Sequence, residues 1–166
     1  MVTFGGKEIT LLGTPVKVGE MAPEFTAIKR DLSEYNSKED LGKILIISVV
    51  PSIDTGVCSL QTKRFNEEAV KLGDNVKILT ISVDLPFAQS RYCSIEGIDN
   101  ADIVSDYLKK DFGIKYGFLI EEFQLLSRGI VVLNGEGRVE YVEYVSEVRN
   151  EVDLDKVLDI VGKIKK

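Results

Sequence analysis

The chain has 166 residues, 44% of them hydrophobic and 29% charged, enough apolar material for one packed core without metal or disulfide staples. Its net charge of −6 disfavours general nucleic-acid binding and attraction to an anionic membrane surface, both of which need clustered Lys and Arg. It contains no histidine, which removes Ser-His-Asp triads, Cys-His catalysis and most histidine-based metal sites, and its two cysteines form no spaced pair for a zinc site.

In chain order, "VTFGGKEITLL" predicts a small hairpin around Gly5-Gly6. "KILIISVV" is a continuous β-branched run, the pattern of a strand buried on both faces. A helix follows, with Leu60, Phe65, Ala69 and Leu72 on one face and Gly73 at its C-terminal cap. "VKILTISV" is a second buried strand, and Pro86 suits the first turn of a helix carrying Ala88 and Cys93. "ADIV" supplies a short strand, and "GIVVLNGEGRVEYVEYV" reads as a hairpin turning at "NGEG". Asp153 caps a last helix with an apolar face of Leu154, Val157, Leu158, Val161 and Ile164. Alternating strands and helices with a late hairpin predict an α/β fold, a mixed central sheet flanked by helices with an added N-terminal β-hairpin. That topology is compatible with a thioredoxin-like fold, and other α/β sandwiches stay open on pattern alone. No linker or repeat divides the chain, so residues 1–166 are expected to form a single domain.

The N-terminus "MVTFGGKEIT" shows no secretory signal, and the longest apolar run, "ILIISVV", is far too short to span a bilayer. A cytoplasmic location is the expectation. In a reducing compartment two cysteines are either inert buried thiols or redox-active ones, not a structural disulfide framework.

Cys58 falls where the first buried strand hands over to a helix, in "VVPSIDTGVCSLQTKRFN". Unpaired N–H groups and the positive end of the helix dipole favour an anion there, and the thiolate is the reactive form of cysteine. Thr55 offers a hydroxyl within a tight loop, Gly56 frees the backbone, and Pro51 sets the entry from the strand and can shield one side. On position alone, such a cysteine is more often a small buried hydrophobe. Cys93, 35 residues further on, excludes a Cys-x-x-Cys motif and by itself says less still.

The string "PSIDTGVC" followed by "RFN" closely resembles the active-site segment of the thiol peroxidases, a branch of the peroxiredoxins, with Pro51, Thr55, Val57 and Cys58 at the signature positions. "VGEMAPEF", "LPFAQSRYC" and "LLSRGIVVLNGEGRV" extend the resemblance, in order, over nearly the whole chain. Val50 and Tyr92 depart from it, standing where an aromatic residue and phenylalanine are common. The resemblance implies a thioredoxin-like peroxiredoxin domain of the atypical two-cysteine type. Cys58 would reduce hydrogen peroxide and alkyl hydroperoxides, with Thr55, Arg128 and Pro51 around the sulfur. An intrachain disulfide with Cys93 would follow, with thioredoxin as reductant, no bound cofactor or metal, and a homodimer as the working form. Arg64 and Arg91 stay outside this site, because a solvated helix face explains them. The apolar residues of "FGIKYGFLIEEF" suit a wall for alkyl substrates, core packing or a dimer contact equally well. Two other readings remain: a general thiol-disulfide oxidoreductase, against which the missing Cys-x-x-Cys argues, and a non-catalytic domain in which both cysteines are inert.

Overall fold

The computed structural model describes residues 1–97 and 102–165, apart from the side chains of residues 69 and 70. It opens with the antiparallel hairpin β1 (Val2–Phe4) and β2 (Lys7–Ile9). Gly5 and Gly6 take φ of 63° and 82°, the positive values that a two-residue turn of this hand demands. Then come β3 (Leu11–Leu12), β4 (Thr26–Lys29), β5 (Glu34–Asn36), β6 (Ile44–Val49), α1 (Gly56–Leu72), β7 (Val76–Ser82) and α2 (Pro86–Glu96). After these follow β8 (Asp102–Ser105), α3 (Asp111–Tyr116), β9 (Leu119–Ile120), β10 (Gly129–Leu133), β11 (Val139–Tyr144) and α4 (Leu154–Lys165).

Every element expected from the sequence is present. The strand drawn from "ADIV" is β8, with Ala101 outside the described residues. The "NGEG" turn is held by Asn134 Oδ1, which accepts the N–H groups of Glu136 and Arg138 at 3.0 Å each. Elements β3, β4, β5, α3 and β9 were not expected: each has two to six residues, too few for a periodicity to stand out. The apolar face of α1 also differs from expectation. Leu60 is 44% exposed, whereas Cys58, Gln61, Thr62 and Phe65 are buried, and the side chain of Ala69 lies outside the described residues.

Seven strands form one mixed sheet in the order β11-β10-β6-β7-β8-β4-β5, parallel across β6-β7-β8 and antiparallel elsewhere. Because side chains alternate along a strand, β6 serves two cores. Ile44 and Ile46 join Phe65, Tyr92, Val157 and Val161 under α1, α2 and α4. Leu45, Ile47 and Val49 join Phe112, Tyr116 and Phe118 around α3. The aromatic residues of "FGIKYGFLIEEF" are therefore mostly core, on the face away from α1. Phe123 is the exception: it is exposed and meets Phe4 edge-on at 5.6 Å. Asp153 caps α4 as expected, its Oδ1 accepting the N–H of Lys156 at 3.1 Å.

Backbone bonds from Thr3 N–H to the Ser146 carbonyl and from Val148 N–H to the Thr3 carbonyl, 2.8 Å each, hold the first strand of the opening hairpin, and one carboxylate holds its turn. Glu147 accepts the hydroxyl of Thr3 and the N–H groups of Gly5 and Gly6 at 2.5, 2.8 and 3.1 Å. These bonds, the one from Thr3 foremost, favour the charged form and hold its pKa at about 2. A folded pKa below the unfolded value gives stability that is present above the unfolded value of 4.5 and lost as pH falls through the folded one. Hydrogen-exchange protection of the Gly5 and Gly6 amides is therefore expected to fall as the pH drops from about 5 toward 2, and Glu147→Gln should lower it already at neutral pH. Protection independent of both changes would contradict this anchoring.

Candidate active site

The loop between β6 and α1 is built by short polar side chains around one carboxylate. Asp84, beyond the end of β7, accepts Ser52 Oγ at 2.7 Å, the Ile53 N–H at 2.9 Å and Ser82 Oγ at 2.6 Å. This fixes where the loop leaves the sheet. Thr55 then takes an extended conformation (φ −92°, ψ 151°) and its Oγ1 accepts the N–H of Cys58 at 3.3 Å, capping α1. The threonine hydroxyl thus binds the backbone of Cys58, in the helix-capping role. Cys58 is the third residue of α1, with its side chain wholly buried.

Arg128 stands one residue before β10 and is only 2% exposed. Its guanidinium donates Nε to the Val148 carbonyl at 2.7 Å, Nη1 to Gln61 Oε1 at 2.9 Å and Nη2 to Cys58 Sγ at 2.9 Å. A buried cation is costly unless hydrogen-bonded and compensated in charge. Of these three partners, only the cysteine sulfur can carry a negative charge. Gly129 lets the neighbouring strand pack close: a Cβ there would fall 2.1 Å from the Glu143 carbonyl oxygen and 2.6 Å from the Phe118 ring.

Pro51, Thr55, Gly56, Val57 and Arg128 line a cavity of about 290 Å³ together with Phe4, Val148 and Arg149. The opening hairpin thus contributes an aromatic wall to the site. Neither this cavity nor a larger one of about 470 Å³, lined by Lys29, Arg30, Tyr35 and Lys77, counts a cysteine among its lining residues. Cys93 lies on α2, is 4% exposed, and packs in the same core cluster as Cys58. The two cysteines stand as separate thiols. Arg64 pairs with Glu151 at 3.2 Å, and Arg91 lines a groove between α1 and α2.

Of the five residues singled out in the sequence, Pro51, Thr55 and Arg128 line this cavity and Cys58 meets Arg128 beside it, while Cys93 shares only the core cluster, from α2. Sequence reasoning missed Gln61, Asp84 and Phe4. Gln61, one turn after Cys58, is 4% exposed and also donates Nε2 to Ser48 Oγ at 2.7 Å. Its position three residues after the cysteine, on the same helix face, was the available signal.

The Redoxin family model matches residues 17–158. The chain is 54% identical over 162 residues to the thiol peroxidase of Oceanobacillus iheyensis, covering 98% of each chain. It is 50% identical over 158 residues to the thiol peroxidase of Bacillus subtilis, covering 95% of this chain and 94% of that one. Among solved structures, a peroxiredoxin-like protein from Aquifex aeolicus superposes with a TM-score of 0.92 at 36% identity, covering 98% of this chain and 96% of that one. The mixed sheet is accordingly a thioredoxin-like fold of the peroxiredoxin kind.

Replacing Gln61 by Glu would put a carboxylate against Arg128 Nη1 in competition with the cysteine sulfur. Alkylation of Cys58 by iodoacetamide is expected to slow about tenfold or more, the equivalent of one charge-assisted hydrogen bond, with circular dichroism unchanged. An undiminished alkylation rate in a folded Gln61→Glu protein would contradict the pairing.

Proposed function

The chain belongs to the Redoxin family and is a thiol-dependent peroxidase of the peroxiredoxin type, and on that premise we propose that Cys58 is its peroxide-reacting thiol and Cys93 its resolving thiol. The observation that carries the assignment is the 2.9 Å contact of Arg128 Nη2 with Cys58 Sγ inside the core. A fixed guanidinium stabilises a thiolate, and its forked donors can hold a peroxide oxygen as well.

Cys58, as the thiolate, attacks the distal oxygen of a hydroperoxide. An S–O bond forms, the O–O bond breaks, and the leaving oxygen takes up a proton and departs as water or an alcohol. Arg128 and the unpaired N–H groups at the start of α1 stabilise the charge developing on that oxygen. Thr55 keeps this helix terminus in register, and Pro51 walls the cavity. The resulting sulfenic acid is attacked by the thiol of Cys93, which releases water and closes an intrachain disulfide. A disulfide needs Cα atoms roughly 4.4–6.8 Å apart. Cys58 is pinned by the cap and by Arg128, and Cys93 is packed on another helix, so both segments must loosen locally for the bond to close.

A dithiol reductant opens the disulfide again, and thioredoxin is the one we assign. Phe87 and Ile95 of α2 and Leu60 of α1 are exposed, apolar surface that supports a homodimer; sedimentation at monomer mass would contradict it. The tie through Glu147 from the opening hairpin to Val148 supports a single domain over residues 1–166. No helix among the described residues is long and apolar enough to cross a membrane. A cycle that needs a dithiol reductant favours work in the reducing cytoplasm.

The test is mass spectrometry of the reduced protein after one equivalent of hydroperoxide, with free thiols alkylated before digestion. The expected product is a Cys58–Cys93 crosslinked peptide reversed by thioredoxin. Cys58→Ser should abolish peroxide consumption. Cys93→Ser should allow one turnover, fail to recycle with thioredoxin, and accumulate sulfinic acid at Cys58. Recycling of Cys93→Ser at the wild-type rate would overturn the resolving assignment.

A further inference from the structure

The two residues beside the cysteines in the chain are bonded to each other. Ser59, which follows Cys58, and Tyr92, which precedes Cys93, bring their hydroxyl oxygens to 3.1 Å. Tyr92 Oη also reaches the Ser59 carbonyl, at 3.2 Å. A consistent pattern has Ser59 Oγ–H donating to the tyrosine oxygen and the tyrosine O–H donating to the carbonyl. Tyr92 is 8% exposed, and burial raises its pKa, so it stays a neutral donor. A further polar tie between these helices, Lys63 with Glu96 at 2.7 Å, has side chains 45% and 29% exposed and is of the kind that contributes little.

We propose that the Tyr92–Ser59 pair is a latch that holds α1 and α2 together and so sets the rate at which Cys93 reaches the oxidised Cys58. This rests on the reading of Cys93 as the resolving thiol. For the disulfide to close, the turn carrying Cys58 and the turn carrying Cys93 must leave their helical positions, and this pair joins those two turns. Every opening breaks it. The latch therefore prolongs the life of the sulfenic acid and leaves it exposed to a second peroxide. Phenylalanine at position 92 can fill the same volume but has no hydroxyl, so it keeps the packing and removes only the tie. Neither Tyr92 nor Ser59 touches Arg128 or lines the 290 Å³ cavity, so the first step is left alone.

The experiment is rapid mixing of reduced protein with hydrogen peroxide, quenching with an alkylating reagent at timed intervals, and quantifying the sulfenic, disulfide and sulfinic forms by mass spectrometry. Tyr92→Phe is expected to form sulfenic acid at the wild-type rate and then close the Cys58–Cys93 bond about three- to tenfold faster, the weight of a typical hydrogen bond. Its sulfinic fraction in excess peroxide should fall to match. Ser59→Ala should give a smaller gain, because the carbonyl acceptor remains, and the double variant should be no faster than Tyr92→Phe, the non-additivity of residues acting as a pair. Disulfide closure in Tyr92→Phe at or below the wild-type rate overturns the latch. Gains that multiply in the double variant overturn it too, since they indicate independent loosening. A wild-type protein that forms sulfenic acid but no Cys58–Cys93 bond overturns the assignment of Cys93, and the latch with it.

Discussion

A guanidinium buried in a protein core has to be surrounded, and the parts of this molecule converge on meeting that requirement. Arg128 draws on the Val148 carbonyl, the Gln61 side chain and the Cys58 sulfur. These acceptors come from the chain beyond β11 and from two successive turns of α1. Gln61 passes the connection on to Ser48 in β6, and Glu147, next to Val148, holds the opening hairpin. Removing the cation would leave three buried acceptors unpaired on two segments, α1 and the chain beyond β11, which is why the site and the packing around it cannot be separated energetically.

On the proposed assignment of Cys58, the same constraint accounts for thiol chemistry in a chain without histidine. A general base is not needed where a fixed positive charge and a helix N-terminus stabilise the anion directly. The supporting framework is equally fixed: Asp84 clasps the loop, and Thr55 caps the helix. In the proposed cycle the site is held fixed toward peroxide and has to yield toward the second cysteine. These demands fall on different contacts, the guanidinium for the first and the ties between α1 and α2 for the second.

Most of the framework was legible in the sequence, for reasons that vary by element. The runs "KILIISVV" and "VKILTISV" read as buried strands because both of their faces meet a core. Pro86 and Gly73 marked helix ends through their backbone preferences alone. Strands β4 and β5, the last two at one end of the sheet, escaped because just one residue of each is buried. The apolar face assigned to α1 was partly wrong because the helix buries polar residues, Gln61 and Thr62, while exposing Leu60. Glutamine in a helical pattern resembles a solvated position until its partner is known. That partner, Arg128, lies 67 residues away, and a pairing at that distance leaves no periodic trace. The cysteines, Thr55, Pro51 and Arg128 were found through family resemblance, because position alone does not distinguish a reactive thiol from a packed one.

The central claim is that Arg128 makes the buried Cys58 sulfur the reacting atom. Its most direct test is the second-order rate of sulfenic acid formation at Cys58, followed by stopped flow with hydrogen peroxide, in Arg128→Met against wild type with the fold checked by circular dichroism. The account predicts a fall of about a hundredfold or more, the scale seen when a preorganised donor to developing charge is removed. An unchanged rate in a folded Arg128→Met protein would contradict it and leave the helix N-terminus as the sole source of reactivity.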